Sequence, residues 1–358
     1  MTAHVLLNPV ARGGRNRHLR APLLDALARA GLDAEVTETV GRGHAERLAR
    51  SSGREGRLVV AAGGDGTVHE VVNGLDGTDG TLGVLPLGTG NDFARALGVP
   101  RGLGPAVQAI AEAPTRRVDL GRVSWADDRG EHRRAFANCV GVGFDARAAA
   151  LAAETKWLGG RAAYLAAVLK TLWAWRRPEV HVRVRTEDAV PAALALAVGA
   201  GDGDRRPEPT GDRGPEAIDY AGPFFLCEVG NGPSMGGGFL LTPDARPDDG
   251  WLDVCLARHL TLSRALTLLP QTFAGRHVGA PEITMGRARR LSLAVTASGA
   301  VGVGVQADGE PLADRASAVE VEVAPGALAV RAAPISETGA RYDSYHSAPG
   351  TDPPTPRT

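Results

Sequence analysis

The sequence predicts an α/β N-terminal domain with a parallel sheet, followed by a mainly antiparallel β-sandwich C-terminal domain. Three observations indicate this fold class. Strand and helix patterns alternate from residue 4 to about 120, which is typical of a parallel sheet with helices on its faces. After that point the chain reads as many short strands. Glycine-rich loops follow strands of the first part, where ligands bind in parallel sheets of this kind.

The first domain, residues 1–120, is predicted from hydrophobic periodicity and turn residues. Strands are short apolar runs, and each helix begins after a polar loop. In chain order the segments are the strand HVLLNP, the helix HLRAPLLDALARAG, the strand DAEVTET, the helix HAERLARSS, the strand RLVVAAGG, a helix from Thr67 to Gly74, the strand TLGVLP and a helix through FARALG.

The second domain, residues 121–333, is predicted from strand patterns such as VDLGRVSW, EVHVRVRT, ALALAVGA, FFLCEVGNG and AVEVEVAPGALAVRA. Two helical stretches interrupt them, GGRAAYLAAVLKTLWAWRR and TLSRALTLLPQTFAG. Residues 201–217 form a polar insertion rich in Gly and Pro, which predicts a mobile loop. The tail, residues 334–358, has the composition of a disordered segment.

Composition excludes several classes of protein. The formal net charge is -1, so no basic field predicts a nucleic-acid partner. Cys139, Cys227 and Cys255 are widely separated, which supports neither a disulfide framework nor a zinc site and fits a reducing cytosol. No apolar run has the length of a signal peptide or of a membrane span. We therefore expect a cytoplasmic protein.

The segment VVAAGGDGTVHEVVNGL, Val59 to Leu75, places a glycine turn between a strand and a helix. No lysine occurs in the first 155 residues, which excludes a Walker A loop and the strand lysine of protein kinases. Backbone N–H groups and the Thr67 hydroxyl at a helix N-terminus can still bind phosphate. The alternative is a plain glycine turn with Asp65 as a helix cap.

A second loop weighs against that alternative. PLGTGNDFAR, Pro86 to Arg95, repeats the pattern of a strand end, glycines around Thr89, and Asn91 or Asp92 as a helix N-cap. Because carboxyl ends of parallel strands meet at one edge of a sheet, we expect the two loops to lie together.

At these loops the chain resembles the diacylglycerol kinase catalytic family, which includes soluble bacterial lipid kinases and sphingosine kinases. The segments that carry the resemblance are LLNPVARGGR, GGDGTVHEVVNGL, PLGTGNDFAR, FANCVGVGFDA, NGPSMGGGFLLTPDARPDDGWLDV and VQADGEPL, in the family's order from about residue 4 to 331. A GGDG motif is also found in NAD kinases and phosphofructokinases, and the resemblance implies their fold for the first domain. The chain departs from the pattern at Arg12, where the family more often has glycine, and at the 201–217 insertion.

The resemblance implies that ATP is the nucleotide bound. The residues that would hold it are Asn8, Pro9, Val10, Ala11, Arg12, Thr39, Gly64, Asp65, Gly66, Thr67, Val68, His69, Glu70 and Thr89. Asp65 would lie near the phosphates as a catalytic-site acid.

The segment QADGEPL places Asp308 and Glu310 two residues apart. On an extended strand both carboxylates would face the same side, where either could accept a proton in phosphoryl transfer. The alternative is a polar turn that begins at ADG. The resemblance implies that Glu310 is the proton acceptor, with Asp308 as its partner or substitute.

The segment PDARPDDGWLDV contains four aspartates but not the EF-hand pattern. The resemblance implies a structural Mg²⁺ held by Asp249, with Arg246 and Trp251 contributing backbone carbonyls. Solvated turn acids are the alternative. A separate Mg²⁺ is expected with ATP, because it offsets the charge that develops on the transferred phosphoryl group.

The stretch Lys156 to Arg177 combines apolar residues, Trp157, Trp173 and Trp175, and basic ends. Such a helix suits a membrane interface, and an ordinary core helix is the alternative. We expect it to border a lipid cleft.

Taken together, the resemblance implies an ATP- and Mg²⁺-dependent lipid kinase at the inner membrane face, with diacylglycerol as the expected substrate and phosphatidic acid as the product. The rivals are a sphingosine-type or other lipid kinase, a soluble kinase of the NAD kinase type, and an inactive nucleotide-binding regulator. The sequence leaves a homodimer open.

Overall fold

The computed structural model describes residues 2–154, 160–174, 181–187, 218–296 and 302–333. The predicted loop at 201–217, the strand ALALAVGA and the predicted tail from Pro334 lie outside these residues. So do both ends of the predicted helix at 156–177.

Four parallel strands form the sheet of the first domain, as predicted. The elements are β1 (Ala3–Leu7), α1 (Ala11–Gly14), α2 (Arg20–Arg29), β2 (Ala34–Glu38), α3 (His44–Arg54), β3 (Leu58–Gly63), α4 (Asp65–Leu75), β4 (Thr81–Pro86), α5 (Asp92–Ala96) and α6 (Leu103–Glu112). The strand order is β2-β1-β3-β4. Strand β1 is buried along its whole length, which explains why it reads as an apolar run and not as an alternating pattern.

The second domain is built from antiparallel strands, and its β-sandwich is also confirmed. Its elements are β5 (Thr115–Asp127), β6 (Gly130–Phe136), β7 (Cys139–Gly143), α7 (Phe144–Glu154), α8 (Gly160–Ala174), β8 (His181–Glu187), β9 (Asp219–Gly230), β10 (Leu252–Arg258), α9 (Leu262–Thr272), β11 (Ile283–Ala288), β12 (Arg290–Val295), β13 (Val303–Ala307), β14 (Glu310–Ala316) and β15 (Ala318–Arg331).

One layer runs β6-β5-β15-β12-β8, and the other runs β14-β13-β7-β9-β10-β11. Strand β9 belongs to both layers, since its beginning pairs with β8 and its end with β7 and β10. Valines from the two layers, such as Val123 and Val229, share one buried core.

Helix α7 is a difference from the sequence prediction, which had only two helices in this domain. Its sequence FDARAAALAAE contains six alanines, and alanine has the highest helix propensity of all residues. That composition was the signal that could have identified it. No helix within the described residues is long and apolar enough to cross a membrane.

The last strand returns to the first domain. Strand β15 shifts register between Ala324 and Leu328, and its end then pairs in parallel with β4 through Val330 and Leu82. Leu328 and Val330 are buried in the core of the first domain. A single cut after residue 120 therefore leaves out the strand that completes the first sheet, and the two domains share a continuous backbone connection at both β5 and β15.

The crossing of α3 and α4 gives a test of this packing. A Cβ added at Gly74 would lie 2.5 Å from the Glu46 carbonyl oxygen and 2.7 Å from Ala49 Cβ. We expect Gly74→Ala to force the helices apart and to lower the free energy of unfolding by about 1–3 kcal/mol. The matched control is Gly104→Ala in α6, where an added Cβ has nothing within 4 Å.

Gly104→Ala should leave stability unchanged or raise it by up to about 1 kcal/mol, because alanine is the better helix former. Urea unfolding of both variants measures the difference. Equal stability of the two variants would contradict the close approach of α3 and α4.

Candidate active site

Three loops meet at the carboxyl ends of β1, β3 and β4, as the sequence predicted. Asn8 follows β1, and its Nδ2 donates a hydrogen bond to Thr67 Oγ1 at 2.9 Å. Gly64 follows β3 and Gly88 follows β4, and a Cβ on Gly88 would lie only 2.3 Å from Gly64 Cα. Because the two backbones touch, a side chain at Gly88 would force the loops apart.

Asp65 links the two glycine loops. Its carboxylate accepts hydrogen bonds from the backbone N–H of Asn91 at 2.7 Å and of Asp92 at 2.8 Å. Asp65 is the first residue of α4, and the cap position of that helix is Gly64. The cap alternative is therefore wrong for α4, because the carboxylate binds the beginning of α5 instead. A Cβ on Gly90 would lie 2.5 Å from Asp65 Oδ2, so the second loop closes tightly over the acid.

Burial and, after it, the nearby Asp92 carboxylate raise the pKa of Asp65 to about 7, although the two backbone hydrogen bonds and Arg95 act in the opposite direction. Asp92 in turn reaches the second domain. Its carboxylate accepts a hydrogen bond from Ser234 Oγ at 2.9 Å and from Gly237 N at 2.7 Å, and it forms an ion pair with Arg95. The acids at the two loops thus tie the domains together.

The N-terminus of α4 lies at the carboxyl edge of the parallel sheet and has no side-chain cap. Gly64 has no side chain to cap the first N–H groups of the helix, and such a helix end favours an anion. Thr89 is exposed on the neighbouring loop, and Thr39 N donates to the Leu7 carbonyl beside the end of β1. Gly64, Thr89 and Thr39 thus lie at the same carboxyl edge of the sheet.

Three of the residues predicted to bind the nucleotide have side chains that are buried or have partners within the protein. Val68 is buried in the core of the first domain. His69 is buried and its Nδ1 lies 3.0 Å from Asp308 Oδ2. Glu70 accepts hydrogen bonds from the backbone N–H of Gly43 at 2.8 Å and of Ala45 at 3.1 Å. The side chains of these three residues hold the framework of the site.

The first loop contains Pro9, Val10, Ala11 and Arg12. Arg12 has φ 53° and ψ 37°, the left-handed region that disfavours a residue with a Cβ. That backbone favours glycine, which adopts it without strain, so the arginine at this position is the conformationally less favourable residue. Asn16, which follows this loop, connects it to the end of β4, because its Nδ2 donates a hydrogen bond to the Leu87 carbonyl at 3.0 Å.

Asp308 and Gly309 form the turn of the hairpin between β13 and β14. Both have positive φ, 51° and 81°, and Ala307 pairs with Glu310 across the turn, which is the preferred position of an Asp-Gly pair in a two-residue hairpin loop. The expectation of one extended strand with both carboxylates on the same side is therefore wrong. The polar-turn alternative is correct for the backbone.

The two carboxylates consequently have different surroundings. Asp308 accepts backbone hydrogen bonds from Ala137 at 3.0 Å, from Asn138 at 2.8 Å and from Cys139 at 3.1 Å, in addition to its contact with His69. Glu310 instead faces the first domain. A Cβ on Gly66 would lie 2.8 Å from Glu310 Oε1.

Glu310 also forms an ion pair with Arg42, through Nη2 and Oε2. Its side chain is 19% exposed, so it borders the cleft across from the helix N-terminus. Of the two acids, Glu310 is the one available to a reactant, while Asp308 is held in place by the backbone around it.

A buried polar cluster lies behind this hairpin, and the sequence prediction did not include it. Gln306 Nε2 donates to Asp145 Oδ2 at 2.6 Å, and Gln306 Oε1 accepts from Gly309 N at 2.7 Å. Burial and the adjacent Asp145 raise the pKa of Glu228 well above its ordinary value. The segments FDA and QADGEP carried Asp145 and Gln306, but only the pairing of β7, β9 and β13 brings them together.

Asp145 is also one of the residues that line an apolar cavity. Helices α7, α8 and α9 and strands β9 and β10 line it, with Phe144, Val168, Leu172, Phe239 and Leu268 among the lining side chains. The cavity walls are almost entirely apolar apart from Asp145, Thr272 and His277. Such a lining suits a hydrocarbon ligand with a polar group near Asp145.

The predicted structural metal site has a different arrangement. Arg287 Nη2 contacts Asp249 Oδ2, and Trp251 N donates to Asp249 Oδ1 at 3.0 Å. The Arg246 side chain pairs with Asp248 at 3.2 Å. Among the described residues no group of three or more His, Cys, Asp or Glu side chains converges to hold a metal ion. Arg287 and the Trp251 backbone N–H thus share the Asp249 carboxylate, and the Mg²⁺ site of Asp249 with the backbone carbonyls of Arg246 and Trp251 stays a prediction.

Comparison with known proteins agrees with this geometry. Residues 2–123 match the diacylglycerol kinase catalytic domain, and residues 138–332 match the YegS C-terminal NAD kinase beta sandwich-like domain. A Mycobacterium tuberculosis protein named "Diacylglycerol kinase" is 30% identical over 91% of this chain and 93% of its own length. A Pseudomonas aeruginosa protein named "Probable lipid kinase YegS-like" is 34% identical over the same shares of the two chains.

Among solved structures, a putative diacylglycerol kinase from Bacillus anthracis superposes with a TM-score of 0.66 at 22% identity, covering 93% of this chain and 97% of that one. At this identity the superposition shows a shared fold. The two domain matches and the extent of the sequence similarity go further: the chain belongs to the diacylglycerol kinase catalytic family.

Proposed function

We propose that this protein is an ATP-dependent lipid kinase that phosphorylates the primary hydroxyl of diacylglycerol and releases phosphatidic acid. The observation that carries the proposal is the position of Glu310, whose carboxylate lies against Gly66 at the uncapped N-terminus of α4. A proton acceptor from one domain thus faces an anion site of the other. The names of the relatives, diacylglycerol kinase and lipid kinase, support the same class of reaction.

ATP would lie in the cleft with its phosphates at the three loops. Backbone N–H groups at the start of α4 and the Thr67 hydroxyl bind phosphate oxygens in place of a Walker lysine. Asn8 holds the Thr67 hydroxyl in place with a hydrogen bond. Asp65 holds the second glycine loop, which carries Thr89, beside the first one. Asp65 acts through this positioning, since backbone N–H groups occupy both of its oxygens.

In the transfer step, the Glu310 carboxylate accepts the proton of the lipid hydroxyl while that oxygen attacks the terminal phosphorus of ATP. The bond between the terminal phosphorus and the bridging oxygen breaks, and ADP leaves. Asp308 holds the hairpin that carries Glu310. Mg²⁺ bound with the nucleotide would offset the charge on the phosphates.

The apolar cavity supports a lipid acceptor over a soluble one. An acyl chain between α7, α8 and α9 would place its polar end near Asp145, which Gln306 connects to the hairpin of Glu310. A soluble kinase of the NAD kinase type has no use for a cavity of this lining. Diacylglycerol is preferred over a sphingoid base because two relatives with similarity over most of the chain carry that name.

The protein would reach its substrate at the inner membrane surface. Within the described part of α8, Trp173 is 83% exposed, and Leu169 is exposed beside it. Helix α9 exposes Leu262 and Leu266, next to Phe273. Since α8 and α9 also line the cavity, their exposed apolar side chains suit insertion among acyl chains at its mouth. The Trp157 and Trp175 part of this prediction lies outside the described residues.

Product identification tests the proposed substrate. Purified protein with labelled ATP and Mg²⁺ should transfer label to diacylglycerol in mixed micelles and give phosphatidic acid. Transfer to sphingosine alone would replace the substrate, and transfer to NAD alone would refute a lipid kinase. ATP binding without transfer to any acceptor would identify an inactive regulator.

Because the two hairpin acids have different proposed roles, substitution of each should have a different effect. Glu310→Gln should lower kcat by about 10²- to 10⁴-fold, the usual contribution of a general base, with an unchanged melting temperature. Asp308→Asn should lower the free energy of unfolding by about 1–3 kcal/mol, because its amide NH₂ would oppose backbone N–H donors. Turnover assays and thermal unfolding of both variants measure this contrast. Near-normal turnover of Glu310→Gln would show that Glu310 is not the proton acceptor.

The exposed apolar surface predicts the membrane step. Trp173→Ala combined with Leu266→Ala should weaken binding to vesicles and reduce activity on vesicle substrate, because the loss of buried apolar area costs about 25 cal/mol per Å². Leu24→Ala, an exposed leucine of α2 in the first domain, is the control and should change neither. Vesicle sedimentation of a folded double variant that matches the wild type would rule this surface out.

A further inference from the structure

Arg42 lies in the loop between β2 and α3, and nothing in the sequence pattern marked it for a role. Its side chain is 76% exposed, yet its guanidinium contacts Glu310, which is 268 residues away in the chain. The loop itself is firmly placed. Gly43 and Ala45 donate their backbone N–H groups to the carboxylate of Glu70 on α4. Arg42 therefore combines a fixed backbone with a long side chain that has space to move.

The surroundings of Glu310 give this contact its meaning. The Glu310 carboxylate lies at the N-terminus of α4, a position that favours anions. The phosphates of ATP are proposed to bind at the same helix end. Two anions so close repel each other unless a cation lies between them. Arg42 already contacts Glu310 at this place.

Resting on the proposed function, we propose that Arg42 is a catalytic residue that leaves Glu310 and binds the terminal phosphate of ATP. Without nucleotide, the guanidinium pairs with Glu310 Oε2 and covers that oxygen. When ATP binds, its terminal phosphate offers a more highly charged, bidentate partner. The exchange uncovers Glu310 Oε2 for the lipid hydroxyl and places a positive charge on the phosphoryl group during transfer. No covalent bond is made or broken by Arg42.

This exchange would distinguish ATP from ADP, because it depends on the terminal phosphate and not on the inner ones. ADP lacks the group that Arg42 would bind, so the arginine stays with Glu310 in the ADP complex. The other phosphate contacts, from α4 and Thr67, serve both nucleotides. Loss of Arg42 should therefore change the discrimination between ATP and ADP, which a structural role for the ion pair would not change.

The test is calorimetric titration of a non-hydrolysable ATP analogue and of ADP, each with Mg²⁺ and without lipid. Arg42→Ala should weaken binding of the analogue about 10- to 100-fold, as expected for the loss of a hydrogen bond between charged groups, and change ADP binding by less than about 3-fold. Arg29→Ala is the matched control, since Arg29 is an exposed arginine paired with Asp25 on α2. It should leave both affinities unchanged.

Activity gives a second readout. Arg42→Ala should have a lower kcat at saturating ATP, and millimolar guanidinium ion should restore part of it, because the side chain is replaced at an exposed position. Equal weakening of both nucleotides, or unchanged binding of the analogue, would overturn the role of Arg42 while leaving the kinase reaction intact. If the wild-type protein bound neither nucleotide, the proposed function itself would fail.

Discussion

The candidate site depends on the hydrogen bonds between the Asp65 carboxylate and the first backbone N–H groups of α5. They join the loops after β3 and β4, whose backbones touch at Gly64 and Gly88. A carboxylate at a helix N-terminus is stabilised by the helix dipole, while burial beside Asp92 raises its pKa to about 7. The helix dipole therefore stabilises the ionised Asp65 carboxylate that joins the loops, and burial beside Asp92 destabilises it. The proposed phosphate site lies at the two loops that Asp65 joins.

From Asp65 the connections continue into the second domain. Asp92 binds Ser234 and Gly237, and His69 meets Asp308, so that α4 and α5 both hold the sandwich. Strand β15 adds a backbone connection by pairing with β4. The hairpin of Glu310 is therefore positioned from several directions. A rigid frame of this kind suits phosphoryl transfer, in which positioning and charge stabilisation do most of the work.

The interior of the second domain links the cavity to this hairpin through buried polar groups. Asp145, Gln306 and Glu228 converge on Gly141, where a Cβ would lie 2.1 Å from Asp145 Oδ2 and 2.7 Å from Glu228 Oε2. Burial and the neighbouring Asp145 carboxylate both raise the pKa of Glu228, as expected where two acids are buried side by side. A polar group in an otherwise apolar cavity orients a ligand that has both kinds of surface.

The role of Glu310 comes from the family resemblance and stays a prediction, whereas the sequence by itself determined the two-domain α/β and β-sandwich architecture and the glycine loops. These follow from hydrophobic period and turn chemistry, which act over a few residues. Local reasoning missed α7 and misread Asp308 and Glu310 as neighbours on an extended strand, although Asp-Gly is itself a hairpin signal. Only the tertiary structure decided the partners of Asp65, the separate surroundings of Asp308 and Glu310, and the contact between Arg42 and Glu310. His69 and Asp308 are 239 residues apart, and contacts over such separations depend on how whole sheets pack and on which way each side chain points.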